Sequence, residues 1–134
     1  MVDRVTELEE GKRAVGIKNV SINEPFFQGH YPATDTRAVT PIMPGVLIIE
    51  AMAQLAGLML HKTIDHEGKV ALLTALEEVR LRRPVVPGDQ LRLEAVCNKA
   101  NSRLADVFVT AKVDGEVAAE ARLKFVVVPP EVIR

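Results

Sequence analysis

A chain of 134 residues fits one domain, spanning 1–134, and leaves no room for a second. Its net charge of −1 gives no basis for holding nucleic acid or an anionic membrane surface, so neither is expected as a partner. Apolar residues make up 48 % and charged residues 26 %, the balance of an ordinary soluble globular protein, and the single cysteine, Cys97, excludes an intrachain disulfide and a thiolate metal cage. The N-terminus is charged at once, Met1-Val2-Asp3-Arg4, which fits no signal peptide and makes a cytoplasmic location the expectation.

Two short apolar segments, about Val2–Leu8 and Arg13–Val20, flank Glu9-Glu10-Gly11-Lys12 and predict a hairpin turning at the glycine. From Ser21 to Pro41 the chain reads as irregular, with prolines at 25, 32 and 41, and a long ordered loop in a small domain is often functional. An apolar run from Pro44 to Leu60 follows, interrupted by Glu50 and Gln54, which is too short and too polar for a membrane span. It predicts a buried helix with Pro44 near its first position, running to about His61 or Lys62, whose side chains suit the C-terminal end of the dipole.

The second half is strand-like. Val117, Ala119, Ala121, Leu123, Phe125 and Val127 alternate with Glu120, Arg122 and Lys124, the period of a half-buried antiparallel strand. Val107, Val109, Ala111 and Val113 alternate likewise, and Asp114-Gly115 supplies a two-residue turn that needs positive φ. Leu91, Leu93 and Ala95 begin another strand, and a less regular one is expected around Leu76–Arg83. A helix apolar almost all round is not covered by one flat sheet face. The expected fold class is therefore α+β, with five or six antiparallel strands wrapped around one long central helix. Any side of the helix left uncovered would meet another subunit.

Three features point to chemistry. Glu50 lies in a run whose only other polar side chain is Gln54, and a buried unpaired carboxyl usually responds with a raised pKa that leaves it neutral. Gln54, one turn along the same face, is placed to orient it. His30, in Gln28-Gly29-His30-Tyr31-Pro32, has the near-neutral pKa of a general base. The N–H groups of Gly45 and Val46 at the helix start lack intrahelical partners and suit a thioester oxygen carrying developing charge. Base, acid and oxyanion donor together describe β-elimination beside a carbonyl. On these grounds alone a solvent-facing Glu50, a surface His30 and an ordinary Pro-Gly helix start remain open. His61 and His66 read as capping or surface residues without a catalytic role.

The stretch Ile22-Asn23-Glu24-Pro25-Phe26-Phe27-Gln28-Gly29-His30-Tyr31-Pro32, followed by Pro41-Ile42-Met43-Pro44-Gly45-Val46-Leu47-Ile48-Ile49-Glu50-Ala51-Met52-Ala53-Gln54, closely resembles the β-hydroxyacyl-acyl-carrier-protein dehydratases of FabZ type. The likeness continues through Arg82-Arg83-Pro84-Val85-Val86-Pro87-Gly88-Asp89-Gln90-Leu91 and Val113-Asp114-Gly115-Glu116-Val117-Ala118-Ala119-Glu120-Ala121. The resemblance implies a hot-dog fold, dimers joined edge to edge, commonly a trimer of those dimers, and dehydration of (3R)-hydroxyacyl thioesters on acyl carrier protein to trans-2-enoyl thioesters in fatty-acid biosynthesis. It implies no metal and no organic cofactor. The histidine and glutamate that share a site across opposite subunits match His30 and Glu50, the carbonyl-binding glycine matches Gly45, and the carbonyl that orients the histidine falls at Ile42. Glutamate at 50 favours the plain dehydratase over the relative that also isomerises the double bond.

The chain departs from the family in three places. Ala33–Thr40 separates the two motif halves where the family has a shorter link, and its composition predicts an exposed loop beside the site. The family's segment with His-Arg-Tyr-Pro-Phe has no counterpart before Met1, and a trimmed N-terminus would leave a plastid-type organelle open as the location. Leu72 and Leu73 stand where the family often has aromatic residues at the acyl-tunnel mouth. For an acidic carrier, Arg80 and Arg82 are expected on the exposed strand face with Arg83 at its end, a merely solvated edge being the alternative. Two other functions compete: a non-catalytic acyl-thioester-binding protein, against which both His30 and Glu50 argue, and a coenzyme-A-linked hydratase or thioesterase, the latter disfavoured by Gly-His-Tyr-Pro.

Overall fold

Alternation sets the register of the centre of the sheet. In the computed structural model, which describes residues 1–30, 34, 38, 41–64 and 68–133, strands β4 (Gln90–Ala100), β5 (Leu104–Val113) and β6 (Glu116–Val128) bury Leu91, Leu93, Ala95, Val107, Val109, Ala111, Ala121 and Leu123 on one face. Asp114 and Gly115 both adopt positive φ, 49° and 80°, so the β5–β6 hairpin turns as its sequence predicts. β1 (Arg4–Glu9) and β2 (Arg13–Asn19) form the N-terminal hairpin, and with β3 (Val70–Leu81) the sheet is antiparallel in the order β1-β2-β4-β5-β6-β3.

β3 differs from expectation. It begins at Val70 and ends at Leu81, where the sequence suggested Leu76–Arg83. Its register against β6 shifts twice, between Leu73 and Ala75 and between Glu77 and Arg80, and Glu78 takes a φ of 52° at the second shift. Each extra residue flips the inward phase, which erases the alternation that would have revealed the strand.

Helix α1 (Gly45–Met59) lies against β2, β4, β5 and β6 and buries Ile48, Ile49, Ala51, Met52, Leu55, Ala56 and Met59. It stops short of the expected His61 or Lys62. The N–H of Gly11, in the β1–β2 turn, takes the Met59 carbonyl at 2.9 Å, and a separate short helix α2 (His61–Ile64) follows, with Lys62 N–H donating to the Glu10 carboxylate at 2.7 Å. Truncating one of the fully buried residues, such as Leu55, should cost about 2–5 kcal/mol. The whole is the α+β hot-dog arrangement, a sheet curved around one long helix. Of the Ala33–Thr40 segment only Thr34 and Ala38 are described, both exposed; the rest, with Tyr31, Pro32 and His66, lies outside the described residues.

Candidate active site

The loop leaving β2 forms a 3-10 turn at Pro25–Phe27, and the His30 N–H donates to the Phe27 carbonyl at 3.3 Å. The imidazole is held from the other side as well. Its Nδ1 lies 2.6 Å from the Ile42 carbonyl. A carbonyl only accepts, so Nδ1 carries the proton and, in the neutral ring, Nε2 carries the basic lone pair. Ile42 is steadied by its neighbour, since buried Met43 donates its N–H to the Val85 carbonyl at 2.8 Å.

Three residues beyond Ile42 the helix begins. Pro44 provides no side-chain cap, and its carbonyl takes the N–H groups of Leu47 and Ile48, leaving those of Gly45 and Val46 without an intrahelical acceptor. A hollow of about 280 Å³ adjoins this helix start and is lined by Ile42, Met43, Gly45, Ile48, Leu81 and Val85 among others. Gly45 packs closely there: a Cβ added to it would run into Cδ1 of Leu81, at the end of β3, and the exposed leucine side chain would have to swing aside. The sequence reading missed Leu81, because nothing local says that a strand end far along the chain lies on the helix start.

Glu50 faces elsewhere. At 3.6 residues per turn it points about 140° around the helix from Gly45, and it does not line the hollow. The carboxyl is also exposed in the single chain, which corrects the expectation of a buried acid. It sits midway along an uncovered stripe with Val46, Gln54 and Leu58, Val46 being 71 % exposed. A long apolar run does not reveal which of its sides the chain's own sheet covers. Gln54 does meet Glu50: its Nε2 donates to Oε1 at 2.8 Å, while its own Oε1 accepts from the Met1 ammonium.

The three arginines are not a bare basic patch. Arg82 bonds Glu120, and Arg83 bonds Glu116 at 3.0 Å with Asp89 at 4.0 Å. Arg80 is exposed on β3, opposite Glu120, whereas Arg82 and Arg83 lie beyond its end. Among the described residues no helix is long and apolar enough to cross a membrane.

Known proteins resemble this chain in both sequence and fold. A FabA-like domain family model matches residues 1–122. The 3-hydroxyacyl-[acyl-carrier-protein] dehydratase FabZ of Acetivibrio thermocellus is 52 % identical over 131 residues, covering 96 % of this chain and 84 % of that protein. That of Thermomicrobium roseum is 46 % identical over 134 residues, covering 100 % of this chain and 86 % of its own. Among solved structures, an uncharacterized protein of Pyrococcus horikoshii superposes with a TM-score of 0.73 at 18 % identity, over 99 % of this chain and 88 % of that one. A thioesterase superfamily member of Thermus thermophilus gives 0.72 at 18 % identity, over 96 % and 89 %, so these two speak for the fold alone. With half its residues shared over nearly its full length, the chain belongs to the FabA-like family, among its FabZ-type dehydratases.

Proposed function

We propose that His30 of one subunit and Glu50 of another form the site at which this chain removes water from (3R)-hydroxyacyl thioesters on acyl carrier protein, giving trans-2-enoyl thioesters. The activity is that of a hydro-lyase of fatty-acid biosynthesis, and a cytoplasmic location goes with it. The observation that carries the assignment is the His30–Ile42 hydrogen bond, which holds the ring with Nε2 as its basic nitrogen by a carbonyl three residues before the helix start and its open amides.

In the step, Nε2 of His30 takes the α-proton while the thioester oxygen accepts from the Gly45 and Val46 amides. The C–H electron pair becomes the double bond as the Cβ–O bond breaks, and the Glu50 carboxyl protonates the departing hydroxyl, which leaves as water. His30 ends protonated and Glu50 ionised, so a proton returns from imidazolium to carboxylate before the next turnover. Covering of Glu50 by a second subunit supplies the dry surroundings that favour a neutral acid. Support for that cover is the uncovered apolar rim around it, Val46 and Leu58, and the unpaired edge of β3 with Leu73 and Leu76 exposed. We read the assembly as a homodimer, and as a trimer of such dimers where the solution mass is six times the 14.7 kDa of the chain.

Loss of enoyl absorbance as the purified protein hydrates a crotonyl thioester tests the reading. His30→Ala and Glu50→Gln should each lower turnover by at least about a hundredfold while leaving the fold intact. Mixing the two inactive variants under subunit exchange should restore up to half of the sites in the mixed dimers, where one site has both residues and the other neither. Exchanged but inactive mixtures would rule out the shared site.

A further inference from the structure

Among the described residues, Lys18 is the one buried charged side chain, 7 % exposed. It stands on β2 in phase with Ala14, Gly16 and Val20, all buried. An ammonium in that position is unfavourable unless it is paired. Its partner is Glu24, whose Oε1 accepts a hydrogen bond from Nζ, while Asp3 stands at 4.0 Å. The second oxygen of Glu24 accepts the Ser21 N–H at 3.2 Å. One carboxylate thus ties β2 to the turn that leaves it.

From Glu24 the main chain leads to the base in two equal steps. The Phe27 N–H donates to the Glu24 carbonyl at 3.2 Å, and the His30 N–H donates to the Phe27 carbonyl at 3.3 Å. Phe27 is itself buried and packs its ring against Phe26 at 4.7 Å between centroids. Buried ion pairs are weak sources of stability, and an apolar pair of similar volume often serves stability as well or better. The effect of this pair is better sought in the segment that it holds.

We propose that Lys18 and Glu24 are positioning residues for His30. They fix the near end of the loop, as the Ile42 carbonyl fixes the imidazole at the far end. The proposal rests on the reading of His30 as the base; neither Lys18 nor Glu24 touches the reacting atoms.

Lys18→Met keeps the stem and removes the charge and the donor. In crotonyl thioester hydration it should lower kcat about 10- to 100-fold, the scale of a misplaced catalytic group, with KM changed less than about threefold. Glu24→Gln should act in the same direction, and Lys18→Arg should recover much of the rate. Placed on His30→Ala, Lys18→Met should cause little further loss, because the group it positions is already gone. Nitrogen-edited NMR gives an activity-independent readout: the signal expected from the hydrogen-bonded Nδ1–H of His30 in the parent should broaden or shift in Lys18→Met.

Full kcat and an unchanged His30 signal in folded Lys18→Met would overturn the proposal, as would an equal further loss on His30→Ala. If Lys18→Met does not fold, Glu24→Gln, at the partly exposed end of the pair, decides by the same readouts. An active His30→Ala would instead overturn the assignment of the base, and the NMR signal would still decide whether the pair holds the ring.

Discussion

The two edges of the sheet are built to opposite specifications. β1 is a strand of 6 residues with Arg4, Glu7 and Glu9 exposed and a register shift between Val5 and Glu7. It is also tied inward: the Arg13 guanidinium of β2 bonds Glu7 at 2.9 Å and Glu94 of β4 at 2.9 Å, and those carboxylates raise the arginine's pKa further. β3 is a strand of 12 residues that leaves Leu72, Leu73, Leu76 and Leu81 exposed. Short, charged edges discourage pairing, whereas a long one with a run of exposed leucines invites it. The contrast supports β3, beside the helix stripe that carries Glu50, as the edge of the proposed dimer.

Charges placed on each edge provide the strongest test. Leu73→Lys with Leu76→Lys should convert the proposed dimer to monomer in sedimentation and lower hydration activity by at least about a hundredfold, because the proposed site is shared between subunits. Leu8→Lys on β1 should leave mass unchanged and activity within about twofold, since exposed substitutions are usually mild. A dimer that survives the β3 charges with full activity would break the comparison.

The same contrast separates what the sequence disclosed from what it hid. β4, β5 and β6 were legible because the first half of β4, the whole of β5 and β6 from Ala119 onward alternate, and Asp114-Gly115 marks the β5–β6 turn. β3 was half hidden because its two register shifts scramble its phase. At the site, His30, Ile42, Gly45 and the Glu50–Gln54 pair were reached through chemistry and resemblance, and the contacts His30–Ile42 and Gln54–Glu50 are present. The exposure of Glu50 was not legible, because it depends on which helix side the chain's own sheet fails to cover. Lys18 could have been found: it is a lysine in phase with Ala14, Gly16 and Val20, where an apolar residue is the norm.

The end of β3 permits a finer test. Gly45→Ala should lower turnover about tenfold or more, on the scale of a disturbed oxyanion donor, since the new methyl enters the helix start and meets Leu81 Cδ1. If that contact is the cause, adding Leu81→Ala should recover most of the rate, a coupling between touching residues. A double variant no better than Gly45→Ala alone would mean that the methyl obstructs the substrate itself.

Just past β3, reversing charge at Arg82 and Arg83 should have a smaller effect, because both are already held by Glu120 and Glu116. If the remaining field steers an acidic carrier, KM for carrier-bound substrate should rise by a fewfold and the rise should shrink with salt, with no change for a small thioester analogue. Equal effects on both substrates would remove the carrier from this surface.

The centre of the sheet, between the two edges, should respond least, and its response has a definite sign. Asp106 on β5 accepts from Arg122 on β6 through Nε at 2.9 Å and Nη2 at 2.7 Å, with Asn98 at 3.2 Å. The hydrogen bonds from Arg122 are the main reason that its carboxyl lies below the usual value, ahead of the weaker contribution of Asn98 and against the opposing effect of burial. A carboxyl with a lowered folded pKa stabilises the fold at every pH above its unfolded value, about 3.9 for aspartate. That contribution fades as pH falls from there through the lowered folded value. Asp106→Asn should therefore lower the urea midpoint slightly and by a constant amount between pH 8 and 5, roughly, and the deficit should shrink below about pH 4. A partly exposed cross-strand pair warrants no more than a small shift. A deficit that grows on acidification would mean that Asp106 is held by something other than its ionised contact with Arg122.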